Sequence, residues 1–321
     1  MVRRLAAKCD VIVENFKVGT LAKYRLDYAE LHRELPRLVY CSITGFGQTG
    51  PYANRSGYDF LAQGMGGIMS ITGEPEGGPM KVGVGITDTM TGMYAAVAVL
   101  AAIRERDRSG EGQHIDLALF DTQIAWLINA GTNYLVSGEA PKRLGNAHPN
   151  IVPYEVFPTA DGHFILAVGN DAQFERFCQL AGQAELAADA RFSTNAARVT
   201  NRDSLIPLLK AITLRRTSRD WLADLESAHI PAGPVNSVAQ AFADPQAIHR
   251  GARLAMPDVR ALGGAIPLIA NPIKLSDTPV TYRHVPPRLG EHTREVLAQY
   301  LGMTREEIAD LEASHVVANH E

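Results

Sequence analysis

The chain has 321 residues, 46% of them apolar and 21% charged, which at roughly 150 residues per domain gives about two domains with a substantial core. A formal charge of −4 excludes nucleic acid as the main partner, because a phosphate backbone demands a basic face. The longest apolar stretch, residues 93–103, stops at Arg104, short of the ~20 residues of a membrane span, and the opening Met1-Val2-Arg3-Arg4 lacks the apolar region of a signal peptide, so neither export nor a membrane is expected.

In chain order, a helical turn at Leu5-Ala6-Ala7-Lys8 leads at once into Val11-Ile12-Val13, which reads as a buried strand. A helix over 28–35 follows, then a strand over 38–43 that runs into the glycine loop Gly45-Phe46-Gly47-Gln48-Thr49-Gly50-Pro51. Strand, helix, strand at this pace predicts an α/β fold with an open, Rossmann-like parallel sheet. Small-residue helices over 58–69 and 87–106 come next, then a charged turn over 107–112 and an alternating strand from His114 that closes at Asp121. A helix over 122–135 completes a large domain, residues 1–136.

From 137 to 153 the composition turns to Gly, Pro, Asn and His, as expected of a linker or functional loop. A smaller α/β domain is expected over 154–225, with a strand over 164–168 and helices over 173–180, 203–211 and 218–228. Residues 226–321 are expected to return to the large domain. They carry a strand-like Ile273-Lys274-Leu275, a Pro286-Pro287 turn and helices over 293–300 and 304–314, the last opened by the capping box Thr304-Arg305-Glu306-Glu307.

The glycine loop matches G-x-G-x-x-G after a strand, but no helix follows it and no acid closes a further strand about twenty residues on, so dinucleotide binding is not indicated. No G-x-x-x-x-G-K-[ST], H-x-x-x-H or G-x-S-x-G occurs. His32-Arg33-Glu34 lacks a P-C-x-x-C partner, and His148, His163 and His292 stand alone, so no metal site is expected. Cys9, Cys41 and Cys178 are scattered, which suits a reducing cytoplasm and reads as core thiols.

Three positions stand at predicted strand ends or helix starts. Asp121 closes a strand and precedes a helix: it is either an N-cap or a nucleophile at the carboxyl edge of a parallel sheet. Asn15-Phe16, after the first strand, is either a turn packed by one aromatic or a ligand contact. Tyr58-Asp59 opens a helix and has the same capping alternative.

Asp10-Val11-Ile12-Val13-Glu14-Asn15-Phe16, residues 40–51, Gly57-Tyr58-Asp59, Gly110-Glu111-Gly112-Gln113-His114-Ile115-Asp116, residues 230–235 and Leu289-Gly290-Glu291-His292-Thr293 together resemble the family III coenzyme A transferases, a superfamily that includes the α-methylacyl-CoA racemases. The stretches occur in family order along the whole chain. Family members normally open with a strand-helix-strand unit ahead of the Asp10 position that helps hold the CoA nucleotide; on this reading that unit is missing here, and a truncated CoA-binding protein is one alternative. The resemblance implies that Asp121 is the nucleophile, that Asn15 and Phe16 contact CoA, that Lys23 either meets the nucleotide phosphates or stands as a solvated helix lysine, and that Tyr58 and Asp59 line the reacting end. Backbone amides of the glycine loops would receive the transient oxyanions.

Racemases of the superfamily place a histidine at the Tyr58 position; a tyrosine, with an ordinary pKa near 10, is a poor α-proton shuttle, so transfer is favoured over isomerisation. The loop Arg143-Leu144-Gly145-Asn146-Ala147-His148-Pro149-Asn150 resembles the subgroup that moves CoA from succinyl-CoA to dicarboxylates, with Arg143 pairing a distal carboxylate or simply standing as an exposed loop arginine. The resemblance also implies an interlocked homodimer, acyl-CoA and carboxylic acid substrates, and no permanently bound cofactor or metal.

Overall fold

β1 (Val11–Glu14), β2 (Val39–Thr44) and β3 (His114–Ala118) form a parallel sheet in the order β1-β2-β3. Val11 pairs with Val39 and Tyr40 with His114, so the three carboxyl ends lie along one edge. β2 is buried almost end to end, which is why it reads as a continuous apolar run instead of an alternating one. The computed structural model describes residues 1–318, and these fall into two units, Met1–Asn146 and a second that begins at Ala147.

In the first unit Leu31, Leu38 and Tyr40 form a core cluster with Ile12, Leu21, Leu26, Tyr28 and Leu35 packed on it. The helix Ile86–Ser109 packs on β2 and β3. It absorbs part of the expected charged turn by running on to Ser109, and the buried Arg106 in its last turn reaches the exposed Asp10 carboxylate at 2.8 Å. By length and composition alone this helix could cross a membrane; it packs on β2 and β3, and only 22% of its apolar stretch is buried.

Two expected helices are broken. The first divides into Asp59–Met65 and Ile68–Ile71, where Gly67 takes a φ of 92°. The second divides into Leu119–Ala125 and Ile128–Ser137, with Ile128 at a φ of 46°, a conformation that β-branched residues rarely hold. Cys41 and Cys178 are core thiols as expected, but Cys9 is exposed, because the helix Val2–Ala6 ends just before it and leaves it in a turn.

In the second unit β4 (Tyr154–Pro158), β5 (His163–Ala167) and β6 (Ala232–Pro234) form an antiparallel sheet in that order. Its core gathers Phe157, Phe164, Phe174, Phe177, Phe192 and Trp221. Arg198, fully buried, donates to the carbonyls of Val152 at 2.6 Å and Phe192 at 2.9 Å and reaches Asp171 at 2.8 Å. The expected strand at 273–275 does not form. A hairpin of β7 (Arg253–Pro257) and β8 (Ala265–Ile269) lies upstream instead, and its prolines are tolerated because a two-stranded ribbon has only edges. The final helix, Arg305–Ala313, opens on the expected Thr304/Glu307 capping box.

Candidate active site

The carboxyl end of β2 anchors the loops that follow all three strands. After β1 the chain turns, and the Asn15 side-chain amide donates to the Ile43 carbonyl at 2.6 Å. The Phe16 N–H donates to the Glu14 carboxylate at 2.8 Å, and Phe16 is 55% exposed. After β2, Gly45 meets Gly57 so closely that a Cβ on either would stand about 2.5 Å from the other's Cα. Only two glycines permit this approach, and Tyr58 is the next residue along. After β3, the Phe120 N–H donates to the Gly45 carbonyl at 3.1 Å, and Asp121 is the next residue along. Asn15, Tyr58 and Asp121 thus all hang from the segment 43–45.

Asp121 is not an N-cap. β3 ends at Ala118, which takes the cap position, so Asp121 falls within the first turn of Leu119–Ala125 with its side chain exposed. The helix dipole favours negative charge there. Tyr58 is the cap residue of Asp59–Met65 and is 78% exposed. Asp59 points elsewhere: its carboxylate accepts from the Thr87 N–H at 2.8 Å, the Asp88 N–H at 3.2 Å and the Gln63 amide at 2.6 Å. It therefore caps Ile86–Ser109 from outside that helix. Thr87 in turn donates its hydroxyl to Gln123 at 2.7 Å, in the helix that bears Asp121. Burial and the nearby Asp59 charge hold the Asp88 carboxyl above its usual range.

The glycine loop is folded back on itself. The Gly47 N–H donates to the Thr44 hydroxyl at 2.9 Å, and the Gln48 N–H donates to the Asp116 carboxylate at 3.0 Å. Those two amides are satisfied internally, so they are not the oxyanion donors the sequence reading expects of this loop.

A cleft of about 300 Å³ is lined by Asn15, Phe16, Lys17, Arg55, Gly57 and Tyr58, among others, and none of its lining residues is acidic. A second cleft of similar size is lined by Glu14, Lys17, Asp27, Tyr28, Ser42 and His114, among others. There the His114 ring stacks on Tyr28 at 4.9 Å and its Nε2 lies 3.0 Å from the Ser42 hydroxyl. Burial lowers the His114 pKa below 6.5, against the opposing pull of Asp116 and Glu14. Burial, with Glu14 and Asp27 beside it, raises the Tyr40 phenol.

Lys23 is exposed in the short helical turn Leu21–Tyr24 and lines neither cleft, whereas Lys17 lines both. Sequence reasoning passed over Lys17, although it directly follows Asn15-Phe16. The Arg143 guanidinium donates to the backbone carbonyls of Glu74 at 3.1 Å and Gly77 at 2.6 Å and so ties that loop in place. Among the described residues no group of three or more His, Cys, Asp or Glu is arranged to hold a metal ion.

Residues 1–293 match the family model described as CoA-transferase family III. The chain is 53% identical over 300 residues to a succinate–glutarate CoA-transferase of Agrobacterium fabrum, covering 93% of this chain and 74% of that protein. It is 39% identical over 321 residues to the succinyl-CoA:glutarate CoA-transferase of Mus musculus, covering 100% of this chain and 73% of that one. A succinyl-CoA–D-citramalate CoA-transferase of Chloroflexus aurantiacus is 35% identical over 318 residues, with 99% and 79% covered. Among solved structures, a CAIB/BAIF family protein from Brucella suis superposes with a TM-score of 0.81 at 50% identity, covering 93% of this chain and 77% of that one.

Proposed function

This chain belongs to CoA-transferase family III, and from that premise we propose that it moves coenzyme A from succinyl-CoA to a dicarboxylic acid such as glutarate, with Asp121 as covalent nucleophile. The observation that carries the reading is the convergence of Asn15, Tyr58 and Asp121 on the segment 43–45 at the carboxyl edge of a parallel sheet. The likeness to transferases that act on succinyl-CoA and glutarate supports the choice of substrates.

The chemistry balances without water or a redox step. An Asp121 carboxylate oxygen attacks the thioester carbonyl of the donor, the C–S bond breaks, and CoA leaves as thiolate, giving a mixed anhydride. The thiolate attacks the aspartyl carbonyl and expels succinate, leaving an aspartyl-CoA thioester. The acceptor carboxylate attacks that thioester and frees the thiolate again, with a second anhydride formed. Thiolate attack on the acyl carbonyl then releases the new acyl-CoA and restores Asp121. The thioester bond energy is conserved as long as water stays out.

In this scheme the exposed Phe16 ring meets the pantetheine or adenine of CoA, Asn15 fixes the turn beneath it, and Lys23 supplies positive charge toward the nucleotide phosphates. Tyr58 faces the reacting end, and Asp59 and Arg143 hold the substrate side in shape. The enzyme works in a reducing cytoplasm as two interlocked chains. Exposed apolar side chains, Val97 and Leu100 on the helix Ile86–Ser109 and Leu135 and Val136 on Ile128–Ser137, support covered apolar surface on these helices.

Hydroxylamine or borohydride added during turnover, followed by mass spectrometry, is expected to modify Asp121, and Asp121→Ala is expected to abolish exchange. Modification of another carboxylate with Asp121→Ala still active would remove the assignment.

A further inference from the structure

We propose that Arg55 is the residue that selects dicarboxylic over monocarboxylic acids, by pairing its guanidinium with the carboxylate of the acid that does not react. The inference rests on the transferase reading above and names the group that reads the substrate's second charge.

Arg55 lines the cleft that also holds Phe16, Lys17 and Tyr58 and contains no acidic residue. Its guanidinium carbon stands 4.5 Å from the centre of the Tyr52 ring and 5.7 Å from that of Phe46. Its backbone N–H donates to the Tyr52 carbonyl at 2.8 Å, so main chain and side chain are held by the same residue. Among the described residues no carboxylate pairs with it. Several other arginines of this unit are engaged: Arg3 with Glu34, Arg33 with Glu30, Arg106 with Asp10, Arg108 with Glu105. Arg143, the other candidate for this task, already donates through Nε and Nη2 to the carbonyls of Glu74 and Gly77.

A guanidinium lying over aromatic rings has its plane restrained while its N–H donors stay available at the edge. That is the arrangement a bidentate carboxylate requires, and little side-chain freedom is left to lose on binding. Lys17 on the same cleft reinforces the positive field. The aromatic contacts also lead toward the nucleophile: the Phe46 ring, beside Arg55, packs on the Phe120 ring at 5.8 Å, and Phe120 precedes Asp121. A short diacid joined to Asp121 through one carboxyl can therefore direct its other carboxylate toward Arg55. A monocarboxylic acid leaves the guanidinium without its counter-ion.

The test compares wild type with Arg55→Gln and Arg55→Lys, using succinyl-CoA as donor and either glutarate or valerate as acceptor. The acceptor kcat/KM isolates the second half-reaction, so donor effects cancel in the ratio. The glutarate-to-valerate ratio should fall about tenfold to a hundredfold in Arg55→Gln, with Arg55→Lys intermediate and the calorimetric Kd for free CoA unchanged. Equal losses for both acids together with weakened CoA binding would assign Arg55 to a CoA phosphate and overturn the proposal; an unchanged ratio would also overturn it. Direct calorimetry of glutarate against valerate reads the same contrast without turnover. If the wild type transfers CoA to no acid, the transferase reading fails, while loss of glutarate binding in Arg55→Gln would still support Arg55 and its persistence would reject it.

Discussion

Replacing Gly57 by alanine should damage the site far more than the fold. The added Cβ would stand about 2.4 Å from the Gly45 Cα, whereas ordinary contact begins at 3.4 Å, so the two backbones must part by about 1 Å. Overpacking of this kind costs about 1–3 kcal/mol, a loss of a few degrees in Tm. Catalysis is more sensitive, because Tyr58 follows Gly57 and the Gly45 carbonyl holds the Phe120 N–H next to Asp121. A displacement of about 1 Å at reacting groups lowers rates by roughly a hundredfold. Gly57→Ala should therefore keep a cooperative melt yet lose about two orders of magnitude in kcat for CoA exchange. Gly64→Ala, in the helix Asp59–Met65 that follows and meeting only the Met69 sulfur at 3.6 Å, serves as control and should stay near wild type. Wild-type kcat in Gly57→Ala would refute the view that the glycine contact sets the geometry.

Three further outcomes are expected. Asp59→Ala strips the acceptor from the Thr87 and Asp88 N–H groups and should cost about 1–2 kcal/mol in urea unfolding, with Asp59→Asn losing less because it keeps one acceptor oxygen. Arg198→Met leaves the buried Val152 and Phe192 carbonyls unpaired and should destabilise the second unit by about 2–5 kcal/mol, read by the fluorescence of the buried Trp221. Because burial lowers the His114 pKa below 6.5, the unfolded chain takes up that proton first as pH falls. Its contribution to stability is complete above pH 6.5 and declines below it, so Tm should fall less on acidification in His114→Gln than in wild type.

The parallel sheet was legible because the run through Ile43 is largely apolar without alternation, the pattern of a strand covered on both faces; Val11-Ile12-Val13 was read as a buried strand too, but it forms the edge of the sheet, half-buried, with Val13 exposed. The capping box at Thr304 was legible because two side chains at fixed spacing determine it. β4, β6, β7 and β8 were not, since each contains a proline, and a proline argues against a strand unless the strand is known to lie at an edge or end. At the candidate site the strand ends were readable, but which side chains line the cleft was not. Asp59 looks like a cap for its own helix and caps another one 28 residues on; Arg55 sits in a loop whose direction depends on the Gly45–Gly57 contact. Such pairings are made by tertiary approach, which no local pattern encodes.

The shared anchorage of Asn15, Tyr58 and Asp121 has a mechanical consequence. When the sheet twists or breathes, three groups fixed to separate strands would drift independently and their spacing would blur. Fixed to one short segment at the end of the central strand, they are carried together, and most of the motion cancels from the distances among them. Reaction geometry can then stay sharp on a scaffold that is itself in motion, much as instruments bolted to a single bench keep their alignment while the floor vibrates.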